Sequence, residues 1–562
     1  METGETTAGP LAGPIETLRG HYDAIVVGSG YGGGVAACRL ARAGRRVAVL
    51  ERGREFETGQ FPSRLTDLRQ ELQVGGRKMR LGRATGLFDV RLGEDMHVLV
   101  GCGLGGGSLI NAGVALRPDA RVFAGPAWPG EVAGDGWLDE GFRRATVWLT
   151  PQSDPEAREL TKYRALGRAG AALGAQPEPA DVTVCFSDTV NAAGRPQPAC
   201  TRCGDCCTGC NVGAKTTVAL TYLADAACHG AEIFTEVLVD HIEKAGGEGW
   251  RLFFAPTLAG AKKAEPGSVS ADVVVLAAGT LGSTEILLRS RQRGLALSDC
   301  LGRGFSANGD IIAFGSGVHE RVNAVGVGHP PRADIEPVGA SVSGQIALGA
   351  DGPPELAMYV QEGAMPSPIA PVLPVFFQPG GRLLGAAHAL IKGVYRGPMA
   401  HLHTFFVVGH DRAGGRLTLA GDRLELSWPG VGDEPIYERV DAALEALVGQ
   451  SGGTYVKSPL ARTSIGSKPV TAHPLGGCGL GADRSSGVVD HKGRVFDSAT
   501  ERADVAVHDG LYVADGALMP GSIGCNPLMT ITALAERTMI LMAEDHGWRF
   551  NAERVDNIGQ RK

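Results

Sequence analysis

Short apolar runs of strand length alternate along this chain with longer segments that have the spacing of helices. Residues 23–27 form the first such run, and residues 46–50 form the second. Between them, residues 35–43 combine a helical spacing of apolar positions with small side chains, and Gly44 ends the segment. This order predicts a β-α-β unit whose helix packs closely against its sheet.

Similar patterns recur further along the chain. Residues 273–278 form another strand-length apolar run, and the run that follows Pro527 is apolar with a helical period. Proline suits the first position of a helix because it has no N–H to leave unsatisfied. The stretches 372–377 and 404–408 are apolar or alternating, whereas residues 328–337 are rich in Pro and Gly and are expected to form loops or a lid. The mixture predicts an α/β protein.

The composition fits a folded protein of several domains. The chain has 562 residues, 43% of them hydrophobic and 20% charged, so we expect about three or four domains or subdomains. A net charge of −7 argues against a nucleic-acid-binding surface. No apolar run reaches membrane-spanning length, and residues 1–20 form a polar tail without the features of a signal peptide, which favours a cytoplasmic protein.

A glycine motif joins the first predicted strand to the first helix. Gly28, Gly30 and Gly33 have the spacing Gly-x-Gly-x-x-Gly, and Glu51 follows the second strand. In a dinucleotide-binding unit the first glycine permits the turn, the second lets the backbone approach the pyrophosphate, and the third lets helix meet strand. The acidic residue accepts the ribose hydroxyls. The motif predicts dinucleotide binding without separating FAD from NAD, and a turn that serves only packing is the alternative.

A second glycine-rich segment, residues 101–107, repeats this spacing without its context. No helical stripe follows the segment, and no strand ending in an acid closes a second unit. We therefore expect a loop laid against a flat or anionic ligand.

That loop and four other blocks resemble the glucose–methanol–choline oxidoreductases, most closely the bacterial cholesterol oxidase branch. The loop reads Gly-Cys-Gly-Leu-Gly-Gly-Gly-Ser-Leu-Ile-Asn-Ala-Gly, and its likeness is to the flavin-contacting loop of that family. The resemblance covers about half of the chain in separated blocks, and the motifs that carry it lie at 101–113, 274–285, 473–478, 510–522 and 526–537. It implies an α/β fold in which a Rossmann-like FAD-binding domain is discontinuous and an α+β substrate domain built on an antiparallel sheet is inserted into it.

The spacing of the blocks implies how the chain is divided. After the tail of residues 1–20, the FAD-binding domain would comprise residues 20–55, 95–118, 205–300 and 466–550. Residues 119–204 would form an extension that leads to a cluster of cysteines. Residues 301–465 would form the substrate-binding domain.

The resemblance also implies which residues contact FAD. The glycine motif and Glu51 would hold the ADP half, and the start of the helix after Pro527 would face the flavin and stabilise negative charge on it. The full set, from the adenine to the flavin ring, is Gly28, Gly30, Gly33, Glu51, Val239, Ala278, Gly279, Asp515, Gly105, Gly106, Ser108, Asn111, Gly113, Pro527 and Leu528.

Alcohol oxidation by a flavin moves a hydride from the carbinol carbon to the flavin N5 and releases the hydroxyl proton. The site therefore needs groups that hold the oxygen and accept the proton. By resemblance, His473 and Asn526 are the catalytic candidates, and Glu362, which precedes Gly-Ala-Met-Pro, is a third. In a dry pocket, burial would raise the pKa of the Glu362 carboxyl and make it a better proton carrier. An exposed glutamate at a strand end is the alternative.

Five of the twelve cysteines lie between residues 200 and 210. Cys200, Cys203, Cys206 and Cys210 have the ferredoxin spacing Cys-x2-Cys-x2-Cys-x3-Cys. The segment also resembles the cluster-binding stretch of iron–sulfur glucose dehydrogenase subunits, and this resemblance implies three cysteine ligands for a [3Fe–4S] centre; the extra Cys203 favours [4Fe–4S]. Structural zinc, disulfides and free thiols are the alternatives. The fourth ligand is open among Cys210, Cys207, Cys185 and Cys228.

These features predict an FAD-dependent dehydrogenase for a hydrophobic alcohol, which by resemblance would be a steroid or terpenoid. Its electrons would leave through an iron–sulfur cluster to a carrier protein or a quinone. An oxygen-using sterol oxidase with structural cysteines is the alternative, and a non-enzymatic flavin electron carrier is a third. His401 and His403 would share a face of a strand, but no third metal ligand is evident, so we expect them to be structural or pocket-lining.

Overall fold

A computed structural model describes residues 9–76, 79–257, 266–331, 334–377, 395–458, 468–499 and 505–553. Residues 1–8 of the predicted tail, residues 332–333 of the predicted loop, and the corresponding gaps in the predicted domains lie outside the described residues.

The described strands are numbered in chain order. They are β1 (His21–Val27), β2 (Val47–Leu50), β3 (Leu72–Gly76), β4 (Met79–Leu81), β5 (Phe88–Leu92), β6 (His97–Gly101), β7 (Glu178–Pro179), β8 (Thr189–Val190), β9 (Pro196–Gln197), β10 (Glu232–Phe234), β11 (Val237–Lys244), β12 (Trp250–Pro256), β13 (Gly267–Leu276), β14 (Ile311–Ser316), β15 (Val342–Leu348), β16 (Met358–Gly363), β17 (His403–Gly409), β18 (Arg416–Ala420), β19 (Arg423–Ser427), β20 (Thr454–Val456), β21 (Val470–Thr471), β22 (Arg494–Phe496) and β23 (Val507–Val513).

The described α-helices are numbered in the same way. They are α1 (Tyr31–Arg42), α2 (Leu65–Gln70), α3 (Ala120–Phe123), α4 (Gly130–Gly134), α5 (Trp137–Leu149), α6 (Thr161–Gly170), α7 (Ala224–Cys228), α8 (Gly279–Gln292), α9 (Leu373–Phe377), α10 (Pro435–Gln450) and α11 (Leu528–His546).

The largest sheet has eight strands, and its centre is parallel. Residues 24–27 of β1 pair with 47–50 of β2 on one side and with 273–276 of β13 on the other. Along its far edge, β13 pairs first with β12 in antiparallel fashion and then with β23 in parallel. The paired residues at the centre are buried, as expected for parallel strands that helices cover on both faces.

A second sheet of six strands is antiparallel throughout, in the order β20-β14-β17-β16-β15-β7. Helix α10 contributes Ile436, Val440 and Leu444 to the same apolar core as Phe405 and Val407 of β17. Because side chains on a strand alternate between its two faces, the other face of this sheet is free to border a different space.

A mixed five-stranded sheet, in the order β21-β6-β5-β3-β4, brings distant parts of the chain together. Its strand β6 pairs with β21, so that His97 lies beside Val470. Strand β6 ends at Gly101, where the glycine-rich loop begins. This sheet therefore anchors both the loop and the segment that leads to His473.

Helix α11 is tied to the N-terminal helix by a buried ion pair. Its Glu536 accepts hydrogen bonds from the Arg39 guanidinium of α1, with Nη2 and Oε1 2.5 Å apart and both side chains inaccessible to solvent. Tyr222 donates to the same carboxylate at 3.1 Å, and the guanidinium lies over Trp148 of α5. Loss of one partner would leave a buried charge uncompensated, so the pair holds the two ends of the chain in register.

The predicted fold class is confirmed, because a parallel sheet of the dinucleotide-binding type is combined with a separate antiparallel sheet. The helix expected at 35–43 begins earlier, at Tyr31, since the glycine turn runs straight into it. Of the two apolar stretches expected near the substrate, 404–408 lies in β17, whereas 373–377 is the short helix α9, whose proline falls in the first turn. None of the helices in the described ranges is long and apolar enough to cross a membrane.

Candidate active site

The dinucleotide motif forms a tight turn between β1 and α1. Gly28 has φ +94°, and a Cβ there would overlap the carbonyl of Ala277. A Cβ on Gly33 would overlap the carbonyl of Gly28, which explains why helix and strand meet so closely. A Cβ on Gly30, in contrast, would meet no described atom within 4 Å. The turn therefore leaves open space at Gly30, in front of the N-terminus of α1.

Glu51 lies at the end of β2 and is held by the same turn. Its Oε2 accepts hydrogen bonds from Ser29 N at 3.1 Å and Ser29 Oγ at 2.5 Å, and its Oε1 accepts one from Gly53 N at 2.7 Å. A carboxylate oxygen can accept a second bond, so these contacts orient the group without exhausting it. The side chain is thus placed to receive a diol beside the turn.

The glycine-rich loop packs directly on the dinucleotide turn. A Cβ on Gly106, which has φ +55°, would lie 2.8 Å from Gly30 Cα. Ser108 stabilises the loop from behind, since its Oγ donates to Gly105 O at 2.6 Å and accepts from the N–H of Val218. Asn111 Nδ2 donates to the Tyr31 hydroxyl at 2.8 Å, whereas its Oδ1 is buried without a hydrogen-bond partner among the described residues. An orphaned buried oxygen at this position points to a ligand that supplies a donor.

Asp515 fixes the N-terminus of α8 against the same space. Its Oδ2 accepts from Gly279 N at 2.8 Å and Ser283 Oγ at 2.5 Å, and its Oδ1 accepts from Ala517 N at 2.8 Å. Burial raises the pKa of the Asp515 carboxyl to about 6, although these hydrogen bonds oppose the shift. A Cβ on Gly279 would meet no described atom within 4 Å, so the start of α8 also faces open space.

One cavity of about 1090 Å³ connects these features. Most of the residues predicted to hold FAD line it, and so do two of the three catalytic candidates. The predicted residues that do not line the cavity are Gly33, Gly105, Ser108 and Glu362. The first three shape the turn and the loop from behind. The predicted residues that line the cavity are Gly28, Gly30, Glu51, Gly106, Asn111, Gly113, Val239, Ala278, Gly279, Asp515, Pro527, Leu528, His473 and Asn526.

His473 and Asn526 lie at the antiparallel sheet's end of this cavity with two partners that the sequence did not suggest. His473 Nδ1 is 3.3 Å from Asp310 Oδ2. Asn526 Oδ1 accepts a hydrogen bond from Gln361 Nε2 at 2.7 Å. Both Asp310 and Gln361 are buried and line the cavity. The cavity lining therefore carries two polar pairs, His473 with Asp310 and Asn526 with Gln361.

Glu362, the third catalytic candidate, does not line the cavity, and the structure places it among other residues. It is inaccessible to solvent, its Oε2 is 2.6 Å from Lys162 Nζ, and its Oε1 accepts from Ser343 N at 2.9 Å. Burial raises the pKa of its carboxyl, and Lys162 opposes the shift. Since neighbours on β16 point to opposite faces, Gln361 faces the cavity and Glu362 faces away from it. In the sequence, the two-residue period of a strand at Met358–Gly363 was the signal that could have shown that Gln361 and Glu362 point to opposite faces.

The antiparallel sheet turns a row of side chains into the cavity. Ile312, Phe406 and Gln361 lie opposite one another on the neighbouring strands β14, β17 and β16, and all three line the cavity. Asp310 precedes Ile312 by two residues at the entry to β14. This row places the polar side chain of Gln361 beside the apolar side chains of Ile312 and Phe406. Other apolar residues that line the cavity are Met365, Pro366, Ile369 and Leu281.

The four cysteines predicted to bind iron come together but do not form a metal site. Cys200, Cys203, Cys206 and Cys210 line one small cavity of about 20 Å³, which has room for about one water molecule. Within the described ranges, no group of three or more His, Cys, Asp or Glu side chains is arranged to hold a metal ion. The predicted iron–sulfur cluster and the zinc alternative are therefore not supported. No disulfide links the cysteines, and Cys207 lines the large cavity instead.

Lys215 connects the cysteines to the glycine-rich loop. Its buried ammonium donates to Cys206 O at 3.0 Å, to Leu109 O at 3.1 Å and to Asn111 O at 2.7 Å. Burial lowers the pKa of this ammonium, and burial raises the pKa of the Cys203 thiol to about 12. The cysteine segment thus supports the loop mechanically, as a packed group of thiols behind it.

His401 and His403 do not share a strand face. His401 lies in the turn before β17, where its Nδ1 contacts Val318 O at 3.0 Å, and His403 is the buried first residue of β17, packed on Phe405. Burial lowers the pKa of His403 to about 3. Neither residue lines the large cavity.

Comparison with known families gives a consistent result. A family model described as GMC oxidoreductase matches residues 22–305, and a second model with the same description matches residues 461–535. The two matches leave out the segment that carries most of the antiparallel sheet.

Curated relatives align with nearly the whole chain. A cholesterol oxidase of Mycobacterium tuberculosis is 29% identical, covering 93% of this chain and 91% of that protein. A cholesterol oxidase of Acinetobacter baumannii is 26% identical over 93% of this chain and 95% of its own length. A long-chain-alcohol oxidase of Arabidopsis thaliana is 26% identical over 91% of this chain and 66% of that protein.

Among solved structures, pyridoxine 4-oxidase from Mesorbium loti has a TM-score of 0.60 and covers 93% of this chain and 99% of its own. Its sequence identity is 18%, so the likeness concerns the fold alone.

Proposed function

The chain belongs to the GMC oxidoreductase family and is an FAD oxidoreductase that acts on CH–OH groups, and from that premise we propose that it oxidises a bulky, apolar alcohol to the carbonyl compound. The observation that carries the proposal is the meeting of His473 and Asn526 in the same cavity as the dinucleotide turn. A reacting carbinol can be held there between a flavin ring and these two side chains.

The cavity fits FAD at each of its parts. Open space at Gly30 and Gly279 allows the pyrophosphate to approach two helix N-termini, and the Glu51 carboxylate is oriented for a ribose diol. The orphaned Oδ1 of Asn111 can accept a hydrogen bond at the flavin end. These groups, with Val239 and Asp515, are our proposed FAD contacts.

The side chains of Asn526 and His473 supply the hydrogen-bond donor and the proton acceptor that alcohol oxidation needs. Bound FAD would supply the hydride acceptor for the carbinol carbon. Asn526 holds the alcohol oxygen by donating the second hydrogen of Nδ2, because Gln361 contacts its Oδ1 at 2.7 Å and its Nδ2, through the other hydrogen, at 3.5 Å. His473 accepts the hydroxyl proton at Nε2, because its Nδ1 faces Asp310. The N-terminus of α11, at Pro527 and Leu528, lines the cavity and would stabilise negative charge on a bound flavin.

The walls favour an apolar substrate of substantial size. Ile312, Phe406, Met365 and Ile369 border the cavity on the sheet side, and the space is large enough for a second ligand beside a dinucleotide. Two of the relatives are named for cholesterol and one for long-chain alcohols. We therefore infer a sterol-like secondary alcohol or another bulky hydrophobic alcohol.

Molecular oxygen is the electron acceptor that we propose, since the relatives above are named as oxidases. The cysteine cavity does not fit an inorganic cluster, so no step of the proposal passes through one. Transfer to a carrier protein or quinone is the second candidate, and the spacing Cys-x2-Cys-x2-Cys-x3-Cys at residues 200–210 is the observation behind it.

Anaerobic mixing of the yellow holoenzyme with alcohols tests the proposed activity. A sterol and a long-chain alcohol should bleach the flavin absorbance, a sugar should not, and His473→Gln should slow the bleaching by about 100-fold. Absence of bleaching by all apolar alcohols offered to the native enzyme would refute the proposal.

Aerobic turnover and metal analysis then decide the acceptor. We expect one hydrogen peroxide for each carbonyl formed and no stoichiometric iron or acid-labile sulfide. If the protein instead contains iron and sulfide in equal, near-stoichiometric amounts and its turnover needs an added carrier, the acceptor is a carrier protein or quinone and not oxygen.

A further inference from the structure

Asp310 stands behind the catalytic histidine in a position that suggests a specific task. Its side chain is 4% exposed, and it lies at the entry to β14, on the face of the sheet that borders the cavity. Its Oδ2 is 2.6 Å from Ala472 N, 3.3 Å from Thr471 Oγ1 and 3.3 Å from His473 Nδ1. Ala472 N and Thr471 Oγ1 therefore direct donors at this carboxylate oxygen, and His473 Nδ1, which is buried and makes no hydrogen bond of good geometry to the described residues, lies beside it.

These contacts fix how the imidazole is presented. The backbone N–H of His473 donates to Thr471 Oγ1 at 2.9 Å, so the backbone that leads into this residue is held. Asp310 is the anion beside Nδ1, 3.3 Å away, and a proton on Nδ1 would interact favourably with it, so the expected neutral tautomer carries its proton on Nδ1 and keeps the lone pair on Nε2. The two nitrogens of an imidazole lie on opposite sides of the ring, so this lone pair is turned away from Asp310.

We propose that Asp310 is a positioning residue for His473, one that sets its tautomer and stabilises the imidazolium formed during the reaction. The role rests on the proposed function in this respect: the hydroxyl proton of the alcohol passes to Nε2, the hydride of the carbinol C–H passes to FAD, and the carbonyl compound remains. The positive charge that appears on His473 is then paired with the Asp310 carboxylate in a buried site, where such pairing is strong.

A purely structural role predicts something different. If Asp310 only caps the turn at 471–473, its loss would lower stability without changing which ring nitrogen of His473 carries the proton. The tautomer is therefore the measurement that separates the two roles, and it does not depend on any alcohol being the substrate.

Ring-labelled ¹⁵N-histidine NMR of the holoenzyme measures this tautomer, with His473 signals identified by their loss in His473→Gln. We expect the proton on Nδ1 in the native enzyme, a shift of most molecules to the Nε2–H form in Asp310→Asn, and a return towards Nδ1–H in Asp310→Glu. An Nε2–H form in the native enzyme, or an unchanged tautomer in Asp310→Asn, would overturn the proposal. If Asp310→Asn fails to fold, the native tautomer and Asp310→Glu decide the matter.

Flavin reduction provides the second measurement. In Asp310→Asn the limiting rate constant for anaerobic reduction should fall by about 100-fold while the KM for the alcohol changes by less than about threefold. A rise in KM of similar size, with an unchanged limiting rate constant, would favour the structural role. Failure of the native enzyme to reduce its flavin with any alcohol would refute the proposed function, and the tautomer would still report on Asp310.

Discussion

Replacement of Gln361 by alanine tests whether β16 presents an amide, and not a carboxylate, to the reacting alcohol. Gln361 Nε2 donates to Asn526 Oδ1 at 2.7 Å and to Gln345 Oε1 at 3.3 Å. Gln345 therefore orients the Gln361 amide, which in turn orients the Asn526 amide. In Gln361→Ala the Asn526 amide can rotate and present its oxygen to the alcohol. The two neutral hydrogen bonds between the Gln361 and Asn526 amides, at 2.7 and 3.5 Å, contribute about 2 kcal/mol, which corresponds to roughly 30-fold slower hydride transfer.

Stopped-flow absorbance under anaerobic conditions measures this step, because it follows the flavin directly and excludes reoxidation. The matched control is Glu362→Gln, one residue along the same strand. Its side chain faces Lys162 on the other side of the sheet, so the reduction rate per bound flavin should stay within about twofold of the native value. Its melting temperature should fall, because the Lys162 ammonium loses its buried partner.

Two results would refute this reasoning. Gln361→Ala that reduces its flavin as fast as the native enzyme would show that the amide contact does not orient Asn526. Glu362→Gln that slows reduction as much as Gln361→Ala, with its flavin content intact, would show that the carboxylate acts in the chemistry after all.

Other predictions concern the framework of the site. Glu536→Gln should lower the free energy of unfolding in urea by about 3–5 kcal/mol, since it leaves the Arg39 guanidinium buried without its anion; a loss below about 1 kcal/mol would contradict the buried-pair argument. Gly33→Ala should prevent stable folding because its Cβ overlaps backbone, whereas Gly30→Ala should fold but lose FAD, as read from the ratio of flavin to protein absorbance; the reverse order would contradict the assigned open space. Because the Asp515 carboxyl has a pKa of about 6 in the folded protein, above its ordinary value, its deprotonation costs stability as pH rises. Relative to Asp515→Asn, the native enzyme should lose about 2 kcal/mol between about pH 4.5 and pH 7.5, and a gain would refute the sign.

The parts of the fold that follow from local pattern were predictable from the sequence. The spacing of Gly28, Gly30 and Gly33 between two apolar runs carries its own steric explanation, and the turn in the structure follows it. The apolar period after Pro527 likewise gave helix α11. Such features depend on neighbours in sequence, and one chain is enough to identify them.

The rest of the candidate site depends on contacts between distant residues. Asp310 and Gln361 have no motif of their own, and they become relevant only because β14 and β16 lie beside β17 in one sheet. Glu362 was favoured because a carboxylate near Met-Pro matched a family pattern, yet a shift of one residue along a strand reverses the face. The cysteine spacing resembled that of iron–sulfur proteins, but spacing alone does not establish the distance between thiols or the volume that they enclose.

Strand β23 joins the eight-stranded sheet from near the C-terminal end of the chain, and this has a consequence for folding during synthesis. Strand β13 receives its parallel neighbour β23 only after the intervening antiparallel sheet has been synthesised, because Val274 pairs with Leu511. A ribosome-bound chain that ends before residue 507 therefore exposes an unpaired, strongly apolar strand edge. Such an edge is a site for aggregation, so folding of this enzyme should be post-translational, slow and sensitive to chaperone supply.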